Sequence, residues 1–385
     1  MPDFGQQHAI VADRVFDGRL WHEQAAVLVA NGRIRGIATA TELPADCSQR
    51  RLPSGALLAP GFIDLQVNGG GGLLLNDSPT AEAMRAIARA HRRYGTTACL
   101  PTMITDTRER MQAAVAAAIE VAGRDGVLGV HLEGPFLSPA RPGIHRKDLI
   151  AEATESDLQW LLKLAGAGRS IVTLAPECVP AGFVKRLTAA GIRVSVGHSE
   201  ARAEVMSRAA DEGLTGVTHL FNAMPAMSAR SPGPVGAALA DRRLIASLIV
   251  DGLHVDPVSI RAAFAAKGAG GIALVTDAMP SVGAATARFS LLGRTITLAD
   301  GRLSDADGTL AGAHLDMASA VRNAVTLANV ALEDALRAAS LTPAKFLGLQ
   351  DERGALFAGA RADLVALTAD LQPLATWVSG SDRSD

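Results

Sequence analysis

Eight short apolar runs, many rich in β-branched residues, recur through the middle of the chain, at residues 62–67, 96–100, 127–131, 171–175, 192–197, 216–219, 246–250 and 271–276. Longer stretches with helical spacing separate most of them, among them residues 80–94, 106–122, 156–164 and 200–212. Strands that alternate with helices build βαβ units on a parallel sheet. Eight such units over residues 57–349 predict an α/β fold, a closed (β/α)8 TIM-like barrel. An open doubly wound sheet would place a Gly-rich phosphate fingerprint where the first strand hands over to a helix. The glycines at 69–72 have the wrong spacing for one and read as a flexible loop.

The chain ends have a different texture. Short apolar runs at 9–11, 26–29 and 34–37 are broken by Asp17 with Gly18 and by Asn31 with Gly32, both strong turn signals. Residues 354–370 read as two short strands about a Gly-rich turn. Because chain termini often lie close together, residues 1–56 and 350–385 are expected to share a small split β-sandwich domain beside the 57–349 barrel. The last six residues, GSDRSD, read as frayed.

The ends of the eight runs carry polar side chains. Gln66 and Asn68 close the first, His131 and Glu133 the third, Pro176 and Glu177 the fourth, and His198 the fifth. His219 closes the sixth, Asp251 with His254 the seventh, and Asp277 the eighth. In a barrel, this carboxyl-terminal face carries the active site.

Composition narrows the partners. The chain has 385 residues, 48% of them hydrophobic and 4% aromatic, with a formal net charge of −2. That balance argues against nucleic acid or an anionic membrane surface as principal partner, since both call for a basic face. Three cysteines, Cys47, Cys99 and Cys178, share no CxxC spacing, which argues against a disulfide framework or zinc knuckle. No basic segment followed by an apolar run opens the chain, and no charge-free stretch suits a bilayer span. The expectation is a soluble cytoplasmic enzyme.

Three imidazoles, a Glu and an Asp on one predicted face need a reason to converge, because burying such groups unpaired is costly. A metal is the simplest. Period-2 alternation puts His131 and Glu133 on one side of their strand, while His198 and His219 end adjacent strands. One carboxylate and two imidazoles leave a position open for water, which suits a catalytic rather than a structural site. Asp277 is then placed to move a proton between that water and a leaving group.

The motifs HLEGPF, PGIH, VGHS, THLFNAMP, DGLHVD and VTDAM, in this order and spacing, resemble the N-acetylglucosamine-6-phosphate deacetylases of the amidohydrolase superfamily. The resemblance runs from GFIDLQVNG at residue 61 to GALFAGARADLVAL at residue 354. It implies a (β/α)8 barrel with a split β-sandwich, a homodimer, and release of acetate from an amino-sugar phosphate. It makes Glu133, His198 and His219 the metal ligands, Asp277 the catalytic acid/base, and His145 a contact to the acetamide carbonyl. Ile144, Asn222, Ala223, Arg230, Asp251 and His254 become substrate contacts, Arg230 reaching the neighbouring subunit. Leu315, Asp316 and Met317 match a loop that closes on the sugar.

One departure is informative. Where many amidohydrolases carry His-x-His for a second metal, this chain has Gln66 and Asn68, weaker ligands than imidazole. None of the five lysines, Lys147, Lys163, Lys185, Lys267 and Lys345, ends a predicted strand, which leaves no candidate for a carbamylated bridge. The expectation is one divalent metal per subunit, zinc in preference to iron, cobalt or manganese. His131 is expected to orient the site by hydrogen bonds. His8, His22, His91 and His314 are read as structural or surface residues, and Cys99 as a small buried hydrophobe. Three other readings remain beside this one: a deacetylase for the galactosamine epimer, a non-enzymatic sugar-phosphate binder, and an amidohydrolase of a cyclic amide. The last is disfavoured by the missing His-x-His and lysine.

Overall fold

The eight apolar runs become eight parallel neighbours in a computed structural model that describes residues 8–39, 41–43 and 47–382. The barrel strands are β1 (Phe62–Val67), β2 (Thr96–Ile104), β3 (His131–Glu133), β4 (Ile171–Leu174), β5 (Arg193–Val196), β6 (Gly216–Val217), β7 (Ile245–Ile249) and β8 (Ile272–Val275). Each pairs in parallel with its sequence neighbour. The ring meets itself just past β1 and β8, where Val67 bridges Ala278 and the Asp277 amide donates to the Gln66 carbonyl at 3.0 Å. Every residue of β1, β2 and β4 is buried, which is why these strands read as continuous apolar runs rather than alternating ones.

Helices start where the side chains can cap them. Thr80 accepts from the Ala83 amide at the start of Ala81–Arg92, and Thr107 from the Arg110 amide at the start of Arg108–Val121. Helix Glu155–Leu161 opens on a reciprocal box between Thr154 and Asp157. That box anchors the far end of the long segment that leaves β3 and carries His145.

The run at 127–131 is the least regular. The Leu128 amide still donates to the Cys99 carbonyl and the Cys99 amide to the Gly126 carbonyl, but the Val130 amide turns aside to the Ser170 hydroxyl, and the β3 ladder is regular only from His131. A three-stranded antiparallel insert, Arg288–Leu291, Arg294–Ala299 and Arg302–Ser304, follows β8 and was not anticipated. Its Leu291, Ile296 and Leu303 pack on Leu74, Ile104 and Met279 beside the barrel mouth.

Both chain ends contribute to a second sheet, in which Leu57–Pro60 lies between His8–Phe16 and Leu364–Leu367. Asn31 and Gly32 turn with φ of 53° and 71°, the two-residue hairpin their sequence announced. The expected strand pair within 354–370 is corrected. Only Leu364–Leu367 forms, because positive φ at Gly354 and Gly359 breaks the preceding stretch, and its antiparallel partner is Pro373–Val378. Of the last six residues, read as frayed, Ser381 and Asp382 pair with Val378 and Trp377, and residues 383–385 lie outside the described residues. Among the described residues, no helix is long and apolar enough to cross a membrane.

Asp157 yields a stability prediction. Its burial would raise the carboxyl, but hydrogen bonds from Arg108, Thr154 and Trp160 outweigh that and hold it down at about 2. A group depressed on folding contributes stability above its ordinary value near 3.8 and loses it as pH falls toward 2. Asp157→Asn is expected to lower urea-unfolding stability by about 1–2 kcal/mol at pH 7, most of the Arg108 share being screened by solvent, with the gap to the parent closing between pH 4 and pH 2. A gap independent of pH would contradict the assignment.

Candidate active site

Four side chains reach the barrel mouth, three of them by one local device. Glu133 ends β3 directly, while His198, His219 and Asp277 each sit two residues past β5, β6 and β8. All three carry left-handed backbone, with φ of 50°, 33° and 50°. For residues other than glycine this costs of order 1–3 kcal/mol and persists where the surroundings enforce it. The turn swings each side chain over the mouth rather than letting it continue along the strand.

The result is a tight triangle. Nε2 of His219 lies 2.8 Å from Glu133 Oε1, Nε2 of His198 lies 3.2 Å from the same oxygen, and the two nitrogens are 3.2 Å apart. The Nδ1–H of His198 donates to the Arg141 carbonyl at 2.8 Å, so in the neutral ring Nε2 presents a lone pair to a carboxylate and to a second imidazole. Protons alone satisfy this poorly; a cation shared by all three does so fully. Ligands about 2.0–2.1 Å from a tetrahedral ion stand about 3.3 Å from one another, close to the edges of this triangle. Burial would raise the Glu133 carboxyl, yet the two imidazoles hold it well below its usual range, and Glu133 in turn raises His219 against the effect of burial. The donor set fits a divalent metal.

Asp277 stands beside the triangle. Its Oδ1 accepts from Asn68 Nδ2 at 2.6 Å and from Gln66 Nε2 at 3.0 Å, and the Gln66 amide also reaches Glu133 Oε2 at 3.1 Å. Burial, then the Glu133 charge, pushes the Asp277 carboxyl up to about 6. The residues that stand in place of His-x-His therefore tie the two carboxylates together through neutral amides. His145 is buried, and its Nδ1 accepts from the Thr105 amide and contacts the Thr105 hydroxyl at 2.8 Å. Burial and the nearby His198 push its imidazole down to about 3, so it is neutral, with Nε2–H as its remaining donor. His131 donates from Nδ1 to the Leu65 carbonyl and meets the Thr173 hydroxyl at 2.7 Å through Nε2. It lies outside the triangle and supports it from below.

Asn68, Glu133, His145, His198, His219 and Asp277 line a cavity of about 400 Å³ that also holds Ile144, Asn222, Ala223 and His254. Asp251 is not at the wall; its carboxylate takes the His254 Nδ1–H at 2.6 Å and orients that ring. Arg230 is exposed on the loop after Asn222 and Ala223 and does not line the cavity of its own chain. Leu315, Asp316 and Met317 are also away from the wall: Asp316 caps helix Met317–Thr326, and its two neighbours are buried in the core. In their place the loop after the unforeseen insert supplies Thr309, Leu310 and Gly312. Sequence reasoning also missed Ile104, Arg141 and Met279 at the wall. Asp300 followed by Gly301, a hairpin signal, was the available clue to the insert. The five lysines lie on helical segments, none on a barrel strand.

The sequence pattern of the amidohydrolase family matches residues 57–383. The chain belongs to the amidohydrolase family. Within it, this amidohydrolase is 44% identical to an N-acetylgalactosamine-6-phosphate deacetylase of Shewanella sp. (strain ANA-3), over 93% of this chain and 91% of that one. It is 35% identical to an N-acetylglucosamine-6-phosphate deacetylase of Haemophilus influenzae, covering 92% and 93%. The crystal structure of N-acetylglucosamine-6-phosphate deacetylase from Pasteurella multocida superposes with a TM-score of 0.94 at 34% identity, covering 98% of this chain and 99% of that one. Amidohydrolases work with a divalent metal, and among the described residues Glu133, His198 and His219 form a group able to hold one.

Removing one ligand tests the triangle. Glu133→Gln is expected to weaken divalent-ion binding by more than about a hundredfold in chelator competition, since even supporting residues around a metal cost about 10–100-fold. Unchanged affinity would show that the carboxylate is not a ligand.

Proposed function

We propose that the protein hydrolyses the N-acetyl group of N-acetyl-D-glucosamine 6-phosphate, giving D-glucosamine 6-phosphate and acetate in amino-sugar breakdown. The observation that carries this reading is the Glu133–His198–His219 triangle with Asp277 beside it, in a cavity large enough for a sugar phosphate. Glu133, His198 and His219 would hold one divalent ion, zinc in preference to iron, cobalt or manganese. When bound, the ion supplies Lewis-acid polarisation of water and of the amide carbonyl.

The chain's own groups do the rest. With Oδ1 of Asp277 taken by Asn68 and Gln66, Oδ2 is the oxygen that accepts a proton from the attacking water. A buried carboxyl with one free oxygen can accept that proton and return it to the departing amine nitrogen. The neutral His145, donating from Nε2, stabilises the carbonyl oxygen as negative charge develops on it. Ile144, Asn222, Ala223 and His254 would border the sugar phosphate, with the Asp251 carboxylate fixing the His254 ring. The same reading takes the protein as a cytoplasmic homodimer in which Arg230 reaches the neighbouring subunit's site.

A second reading rests on the 44% identity to a deacetylase of the galactosamine epimer. The two substrates differ only in the orientation of one hydroxyl. Purified enzyme is expected to release acetate from N-acetylglucosamine 6-phosphate and to stop when a chelator is added. A higher kcat/KM on the galactosamine epimer moves the assignment to the second reading, and no release from either overturns both. Asp277→Asn is expected to lower kcat by about 10²–10⁴-fold with KM changed less than about threefold, which steady-state kinetics will resolve. Retained turnover would remove Asp277 from the mechanism.

A further inference from the structure

Asp64 is a buried carboxyl that the chemistry at the mouth leaves unused. Neither it nor Thr276 is accessible to solvent. It stands on β1 at the seam where the barrel closes. Elsewhere each barrel strand is laddered to the next, but among the described residues β1 and β8 share only the Val67–Ala278 bridge. The ladder from β1 to β2 also breaks, between Asp64 and Val67. The Asp64 carboxyl serves the amides these gaps release. Its Oδ1 accepts from the Gln66 amide at 3.2 Å and the Thr276 amide at 3.3 Å, and its Oδ2 from the Thr276 hydroxyl at 2.5 Å. The Thr276 oxygen in turn accepts from the Ala278 amide at 3.2 Å. Both neighbours of Asp277 are therefore gripped. So is Gln66, whose carbonyl takes the Asp277 amide and whose side chain holds Asp277 Oδ1, each at 3.0 Å.

We infer that Asp64, acting through Thr276, is a positioning residue that sets the left-handed turn of Asp277 and the Gln66 amide on which its Oδ1 rests. The inference rests on the proposed acid/base role of Asp277. Left-handed backbone at a residue other than glycine persists where its surroundings enforce it, and here the enforcing bonds run back to one carboxyl. Keeping that carboxyl is costly: burial, with a smaller push from the Asp277 charge, raises it to about 7. An apolar strand residue would avoid the cost but could not serve two amides and a hydroxyl. The placement it secures matters to chemistry, because an acid/base must stay within hydrogen-bond reach of the proton it moves, and a displacement of about 1 Å can cost about a hundredfold in rate. Glu133, His198 and His219 reach the mouth from other strands, so their hold on an ion does not depend on the seam.

The test compares Thr276→Val, which keeps the shape and deletes the hydroxyl, with Thr276→Ser, which keeps the hydroxyl, and with Asp64→Asn, all rates being taken per folded, metal-loaded chain. Thr276→Val and Asp64→Asn are expected to lower kcat for acetate release from N-acetylglucosamine 6-phosphate about 10–100-fold, with KM changed less than about threefold and metal content unchanged. Thr276→Ser recovers most of the loss, and the double variant is no slower than the poorer single, since the two side chains act as one unit. A crystal structure of Thr276→Val is expected to show Asp277 Oδ1 drawn away from Asn68 and Gln66. Unchanged kcat in Thr276→Val overturns the inference. So does a lowered melting temperature with kcat per folded chain intact, which would make Asp64 a closure of the barrel and nothing more, and so does a loss of rate that follows loss of metal. Should Asp64→Asn fail to fold, Thr276→Val decides. A parent enzyme that releases acetate from neither epimer ends the proposed function instead, and the Thr276→Val structure still rules on the positioning: Asp277 displaced upholds it, Asp277 in place overturns it.

Discussion

Two imidazole nitrogens and a carboxylate oxygen cannot be packed within 3.2 Å of one another in a buried place unless something positive holds them. That constraint organises this protein. It explains why three residues past strand ends adopt left-handed backbone, and why the interior beneath is unusually polar for a barrel core. Thr173, Thr218 and Ser195 join hydroxyl to hydroxyl at 2.7 Å under His131, so each buried polar group has a partner without a charge being introduced.

The second organising fact is how the acidic groups coexist. Glu133 and Asp277 are both buried, and their repulsion is relieved by the amides of Gln66 and Asn68 instead of by a second cation. Those amides donate and do not titrate, so Asp277 keeps Oδ1 occupied and leaves Oδ2 to accept a proton. Asp64, deeper on β1, shows what happens otherwise: burial pushes its carboxyl up to about 7 despite the Thr276 hydroxyl at 2.5 Å.

Much of this was legible in the sequence because barrels separate their signals. Apolar runs mark strands buried on both faces, and the polar residue that ends each run marks the mouth; Glu133, His198, His219 and Asp277 could be read from that alternation alone. What escaped depended on distance between elements. Arg141 reaches the cavity because its carbonyl meets His198 across 57 positions, and no local pattern records that. Leu315, Asp316 and Met317 were read by motif similarity as a loop that closes on the sugar; here Asp316 caps its helix, Leu315 and Met317 are buried, and Thr309 and Leu310 line the mouth. The broken stretch before Leu364 failed for a simpler reason: Gly354 and Gly359 could be flexible strand residues or fixed turns, and only their positive φ decides.

The central claim, a single cation held by one carboxylate and two imidazoles, is tested most directly by titrating fully demetallated enzyme with zinc while following acetate release from N-acetylglucosamine 6-phosphate. The account predicts no turnover at the start and a linear rise that breaks at one equivalent per chain. Full activity before any metal is added, or a break at two equivalents, would contradict it.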